Sequence, residues 1–203
     1  MTTATSPRTI TLENVRLSFP TLVTAKATID NGPKKFSANF IIDPTTSQGK
    51  SNIAKIEKAI AAAEMDEFGK MGIVEKLRDP KRKVYRPGED FVNTDGEIYN
   101  GYEGMMGLST KAGKRPLLLD RKKQPVDVDD IEDVFQGGYR VDAIVNLYCT
   151  SKEKQGGRGL FASVNAIRFR EEDETFGGAK ASADDFEDID EDDAFGGDDD
   201  DIG

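Results

Sequence analysis

Residues 139–168 read YRVDAIVNLYCTSKEKQGGRGLFASVNAIR, and their periodicity decides the fold. Tyr139 to Leu147 places Val141, Ala143, Val145 and Leu147 at every second position, with Arg140, Asp142 and Asn146 between them. A period of two is the mark of a strand with one buried face. Gln155-Gly156-Gly157 is a turn signal, and Gly159 to Arg168 reads as a returning strand. Upstream, Ile10, Leu12, Val15, Leu17 and Phe19 alternate imperfectly, which predicts a first strand ending at Pro20. Asn31-Gly32-Pro33 is a turn, and Lys35 to Ile42 is strand-like up to Pro44.

Between these strands the period changes. Over residues 49–77, Ile53, Ile56, Ile60 and Ala63 recur at helical spacing, with Ser51 available as an N-cap. Gly69 and Gly72 interrupt the pattern, and Ile73, Val74 and Leu77 suggest a second short helix before Pro80. Residues 78–116 are punctuated by Arg86-Pro87-Gly88, Thr94-Asp95-Gly96 and Asn100-Gly101, leaving short strands at Lys83–Arg86, Gly104–Ser109 and Arg115–Leu119. Asp120 to Val134 reads as a polar, acidic loop. Short strands with one inserted helix predict a mainly β fold. The nearest template is a five-stranded Greek-key barrel of the oligonucleotide-binding (OB) type.

Charge divides the chain in two. It holds 28 Lys+Arg and 38 Asp+Glu, net -10. From Glu171 onward there are 16 acids and one base, Lys180, a net of -15; residues 1–170 therefore carry +5. A basic body can bind a polyanion, and an acidic tail on the same chain can compete for that surface or recruit other proteins. The expected organisation is a loose arm over 1–9, one barrel domain over 10–170 and a disordered acidic tail over 171–203. The tail lacks the apolar content to fold alone. Its hydrophobes, Phe176, Phe186, Phe195 and Ile202, punctuate the acid at intervals. With Asp192, Asp193, Asp198, Asp199, Asp200 and Asp201 they form a segment suited to a basic-rimmed apolar pocket on a partner.

Several chemistries are excluded or disfavoured. The chain has no His and one Cys, Cys149, so an intrachain disulfide, a structural zinc site and His-based triads are ruled out. No signal peptide or membrane span is legible, and a reducing cytoplasm fits. No cofactor motif is present. Asp188 to Asp199 fails the calcium-loop pattern, because Asp193 and Asp199 stand where Gly and Glu are required. Asp90, Asp95 and Glu97 leave a magnesium-dependent nuclease as one alternative. An acidic interaction module or DNA mimic, using the tail alone, is another.

The central segment carries the nucleic-acid candidates: Lys81, Arg82, Lys83, Tyr85, Arg86, Phe91, Tyr99, Tyr102, Lys111, Lys114 and Arg115. Cations pair with phosphates and rings stack on unpaired bases. Lys152, Lys154 and Arg158 add a basic loop beside the last hairpin, flanked by Arg140. Arg121-Lys122-Lys123 reads equally well as a DNA contact or an exposed turn.

Short motifs add a resemblance. In order they are Asn14-Val15-Arg16-Leu17-Ser18-Phe19-Pro20, Arg115-Pro116, Leu119-Asp120-Arg121, Gln124-Pro125, Phe135-Gln136-Gly137-Gly138-Tyr139, Gly159-Leu160 with Ala162, Asn165 and Ile167, and Glu174-Thr175-Phe176-Gly177-Gly178. The sequence resembles the phage-encoded single-stranded DNA-binding proteins long known as a domain of unknown function. Those proteins are related to the single-stranded DNA-binding proteins of podophage replication. The resemblance implies an OB barrel, no enzymatic activity and binding of single-stranded DNA in replication or recombination. It also implies a tail that contacts a polymerase, helicase or recombinase, and leaves a homodimer open. The family's tail ends in an aromatic; here the end is Asp201-Ile202-Gly203.

Overall fold

The first strand, β1, spans Thr9–Ala27 and runs through Pro20, where the sequence predicts its end. The reason lies in two bulges. Asn14 (φ 51°) and Phe19 (φ 45°) occupy the left-handed region, and the pairing register shifts at both, between Leu12 and Val15 and between Ser18 and Thr21, and again further on between Thr21 and Lys26. Asparagine tolerates that conformation; a bulky aromatic seldom adopts it. Pro20 sits within the second bulge, where the ladder is already interrupted and its missing N–H is not needed. The bulges explain the imperfect alternation, for the buried residues Leu12, Val15, Leu17 and Leu22 are spaced three, two and five apart.

The structure, a computed structural model, describes residues 6–27, 32–151 and 157–176. The remaining elements are β2 (Lys34–Ile42), α1 (Ser47–Phe68), β3 (Tyr85–Pro87), β4 (Met106–Ala112), β5 (Leu117–Leu119), α2 (Ile131–Val134), β6 (Arg140–Thr150) and β7 (Gly159–Glu171). They form one sheet in the order β3-β4-β2-β1-β6-β7-β5. β1 joins its two halves, pairing with β6 through Thr9–Arg16 and with β2 through Arg16–Ala27. The edges meet where Lys83 bridges Leu160 in parallel and the Val84 N–H donates to the Leu160 carbonyl at 3.4 Å. The barrel thus closes between β7 and the residues leading into β3, and β4 packs beside β7; the long strands follow one another as β1-β2-β4-β7-β6, the order of an OB barrel. Phe40, Leu108, Val141, Leu147, Leu160 and Ile167 fill the interior, each fully buried.

Helix α1 covers the barrel from outside through Ile56, Ala59 and Ala63. Its N-cap is Thr46, whose hydroxyl accepts from the Gly49 N–H, and not Ser51, which lies inside the helix. Gly69 ends it in the left-handed conformation (φ 67°). The second short helix is absent: residues 70–76 form bends and turns. The buried Glu64 carboxylate accepts the N–H groups of Gly72, Ile73 and Val74 at 2.9, 2.7 and 2.6 Å, which fixes a turn there instead. The acidic loop expected over 120–134 ends in the single turn α2, with Ile131 buried.

Asn52 joins the helix to the first bulge. Its amide donates to the Glu13 carbonyl at 2.7 Å and its oxygen accepts the Glu13 N–H at 3.1 Å. Asn52 is fully buried, so its loss strands both backbone groups in an apolar setting. Asn52→Leu is expected to lower stability by about 2 kcal/mol, and a urea melt measures it.

Candidate nucleic-acid interface

The outer face of β1, β2 and β4 is the candidate interface. Alternation along β2 turns Phe36, Ala38, Phe40 and Ile42 inward, so Lys35, Ser37, Asn39 and Ile41 point out. The register sets Ser18 beside Asn39, and Asn39 beside Ser109, Ser37 beside Lys111 and Ile41 beside Gly107. One end of this face is cationic, for Lys26 pairs in register with Lys35. Burial, together with the charge of Lys35, pulls the Lys111 ammonium below its ordinary value. Lys26, Lys35 and Lys111 thus place positive charge at this end of the face.

The other end is aromatic. The loop after β3 folds back over the face and lays a row of groups across it. The Arg86 guanidinium lies 4.2 Å over the Phe91 ring. Phe91 stacks on Tyr102 at 4.6 Å, Tyr102 on Phe19 at 6.4 Å, and Phe19 meets the edge of Tyr99 at 4.7 Å. Gly107 makes the row possible, because a Cβ there would collide with the Phe91 ring. The row begins buried and ends open: Phe91 and Tyr102 are 4% and 0% exposed, Tyr99 and Phe19 37% and 49%. Burial raises the Tyr102 phenol pKa against the opposing hydrogen bonds of Ser18 and Asn39.

This geometry sorts the sequence candidates. Tyr99 presents an exposed ring beside Phe19. Lys111 lies on the outer face, and Lys114 is exposed in the turn after it. Phe91 and Tyr102 form the floor of the row instead of offering a face to a base. Tyr85 turns inward opposite Leu108, and burial plus the charge of Glu57 pushes its phenol up to about 12. Three arginines are held by backbone carbonyls: Arg82 by Gly157 and Arg158, Arg86 by Pro80, and Arg115 by Leu22 and Val23. Lys83 reaches the Glu75 carbonyl at 3.4 Å, Lys81 is exposed in the preceding 3-10 turn, and the Arg158 guanidinium lies near the Phe68 ring. Lys152, Lys154 and the tail candidates Phe186 to Ile202 lie outside the described residues.

Sequence reasoning missed Phe19, Asn39, Lys35 and Lys26 as site residues. The available signal was the break in alternation at Leu17-Ser18-Phe19-Pro20, which sets a ring outside the barrel. On the opposite wall, Asp142 accepts from Arg168, Arg170 and the Asn14 N–H. Burial pushes its carboxyl up, but these donors outweigh it and hold it below its ordinary value. Among the described residues no three His, Cys, Asp or Glu side chains gather as a metal would require, and Asp90, Asp95 and Glu97 form no such group. No described helix is long and apolar enough to cross a membrane.

A closed OB barrel whose open face carries exposed rings at one end and lysines at the other defines an oligonucleotide-binding class of protein. The family described as "Enterobacter phage Enc34, ssDNA-binding protein" matches residues 8–196, and the chain belongs to it. That family is described by its single-stranded DNA-binding protein. Protein p50 of Acyrthosiphon pisum secondary endosymbiont phage 1 is 31% identical over 165 residues, covering 79% of this chain and 82% of that protein. Among solved structures, the single-stranded DNA-binding protein of bacteriophage Enc34 in complex with ssDNA superposes with a TM-score of 0.68 at 20% identity, covering 84% of this chain and 90% of that one. The gp2.5 single-stranded DNA-binding protein of bacteriophage T7 gives 0.50 at 12% identity, covering 85% and 90%. At these identities the two structures speak for the fold.

Proposed function

We propose that the protein binds single-stranded DNA without sequence preference during phage replication or recombination. The observation that carries this reading is the row of rings on the outer barrel face, which ends in the exposed Phe19 and Tyr99. Bases stack on these rings, Lys26, Lys35 and Lys111 neutralise the backbone, and Asn39 and Ser109 offer hydrogen bonds between them. Stacking and charge neutralisation do not discriminate among bases, so the face tolerates any sequence. Duplex DNA hides its base faces and gains only the electrostatic part.

The acidic tail is the second half of the proposal. It competes with DNA for the cationic face and, when displaced, is offered to a polymerase, helicase or recombinase. The support is the charge division: residues 177–203 hold 12 acids and one base. Each tail contact is weak and exchangeable, since a segment that orders on binding gives up conformational entropy.

Fluorescence anisotropy with labelled oligo(dT) and the matching duplex tests both halves. The full chain is expected to prefer the single strand and to weaken steeply with salt, as released counterions require. A truncation after Phe176 keeps every described element. It is expected to bind several-fold more tightly at low salt, with the difference fading as the Debye length falls below roughly 8 Å. Equal affinity of the full chain and the truncation at low salt would remove the competition; no affinity in either would remove the DNA reading.

A further inference from the structure

The chain does not leave the barrel at the end of β7. Residues 172–176 turn back and pack beside the aromatic row, where they meet two arginines. Arg16 on β1 and Arg140 on β6 are partners in register, so their side chains leave the sheet side by side. Two guanidinium groups so placed repel unless an anion lies between them. Here the anion is Asp173, 2.7 Å from Arg140 Nε and 3.7 Å from Arg16 Nε. Burial pushes the Asp173 carboxyl up, but the Glu174 N–H, the Arg140 hydrogen bond and the charge of Arg16 together hold it below its ordinary value.

Three residues on, the Phe176 ring lies against the Arg16 guanidinium, its centroid 4.4 Å from the guanidinium carbon. The segment is latched by backbone. The Phe176 N–H donates to the Gly137 carbonyl at 3.1 Å, and Arg16 donates to the carbonyls of Glu174 and Gly138 at 2.6 and 3.0 Å. Two glycines make room for it. A Cβ at Gly101 would strike the Phe176 ring, and one at Gly138 would strike the Glu174 carbonyl. Phe176 also packs on the Ile41, Phe91 and Tyr102 cluster, so it continues the row that ends at Phe19 and Tyr99.

An anion across two guanidinium groups, with a flat ring on one of them, is the pattern a nucleotide makes through its phosphate and base. We infer that Arg16 and Arg140 are a phosphodiester subsite of the single-strand track, held closed in this structure by Asp173 and Phe176. The inference rests on the DNA-binding reading above and adds to it a specific latch. A strand that covers Phe19 and Tyr99 and continues toward β6 displaces residues 173–176, and the tail beyond them is released in the same step. Asp43 also faces Arg140, whose charge helps lower the Asp43 carboxyl. With Asp173 gone the subsite holds two cations against one acid, enough to take a singly charged phosphodiester.

The chain contains no tryptophan, so Phe176→Trp in the full-length protein gives a single reporter. Titration with oligo(dT) is followed at once by anisotropy of the labelled DNA and by tryptophan emission. The expected result is a red shift of the emission that saturates with DNA binding. A second variant, Asp173→Asn, keeps the side-chain volume. It is expected to bind oligo(dT) a few-fold more tightly, because the strand no longer has a carboxylate to displace. Adding Arg16→Gln and Arg140→Gln to Asp173→Asn is expected to remove that gain and to make the log–log salt slope shallower by about 0.7 for the phosphate no longer neutralised. Binding by anisotropy with an unmoved emission maximum, or with a slope unchanged by the two arginine substitutions, overturns the subsite and leaves the DNA reading standing. No binding by the wild-type chain overturns the DNA reading and the subsite with it.

Discussion

Phe19→Ala is expected to weaken binding to oligo(dT) by about 10- to 100-fold, within the range of roughly 1–3 kcal/mol that one stacked base contributes. Its thermal melt should stay close to that of the wild type. The two effects separate because of where the ring sits. Phe19 is 49% exposed and outside the main core, so its removal costs little buried apolar area. Its backbone is held in the left-handed region by the bulge, which aims the ring outward whether or not DNA is bound. Alanine is less strained at that φ than phenylalanine, so stability is expected to hold or rise slightly. A Phe19→Ala protein that keeps wild-type affinity for oligo(dT) would take the rings out of the binding face.

Tyr102→Ala should do the reverse, damaging the fold first and binding as a consequence. Tyr102 is fully buried, stacks on Phe91 at 4.6 Å and receives the Asn39 amide on its phenol oxygen at 3.2 Å. Truncation leaves a cavity the loop cannot refill from its own side chains, and costs about 3–5 kcal/mol, as large-to-small changes at buried aromatics do. The damage concentrates in the loop between β3 and β4, since Phe91, Tyr99 and Phe19 all rest on this ring. Oligo(dT) affinity falls with it. Tyr102→Phe keeps the stack and loses only the phenol hydrogen bonds, at about 1 kcal/mol. Urea melts of the two variants, set against their anisotropy curves, measure both steps. Equal affinity for Tyr102→Ala and wild type would mean that the row is not the platform.

The barrel was legible because its long strands obey a period of two. The pairing of β6 with β7 follows directly from the quoted hairpin, and helix α1 from the spacing of Ile53, Ile56 and Ile60. The failures have local causes. Pro20 reads as a terminus because a proline in a regular ladder loses a hydrogen bond; the bulge has already released that bond. Ser51 reads as a cap by residue type, whereas Thr46 is the residue whose hydroxyl accepts the Gly49 N–H. The turn over 72–74 depends on Glu64, whose carboxylate reaches three N–H groups from a different element, and no local pattern reports that.

The site was legible as a neighbourhood and much less so as a set of side chains. Sequence could say that rings and cations crowd residues 78–116. It could not say that Arg82 and Arg115 are spent on carbonyls, or that Tyr102 lies beneath Phe91 and Phe19. Those depend on which face of β2 and β4 the loop folds over, a matter of closure and not of composition. Phe19 was missed for the converse reason: it stands in a strand otherwise read as core, and only the bulge turns it out.

The two bulges of β1 also set how the chain tolerates change in length. A regular strand is indifferent to its starting point; a bulged one keeps a fixed phase on each side of the irregularity. Removing a single residue between Ser18 and Thr21 would exchange inside and outside for one half of the strand relative to the other. Leu22 would then face solvent, or Leu17 would leave the core, and the harm would come from the lost phase and not from the residue deleted. In that sense β1 carries a reading frame, and positions 14 and 19 are two of the places where it shifts.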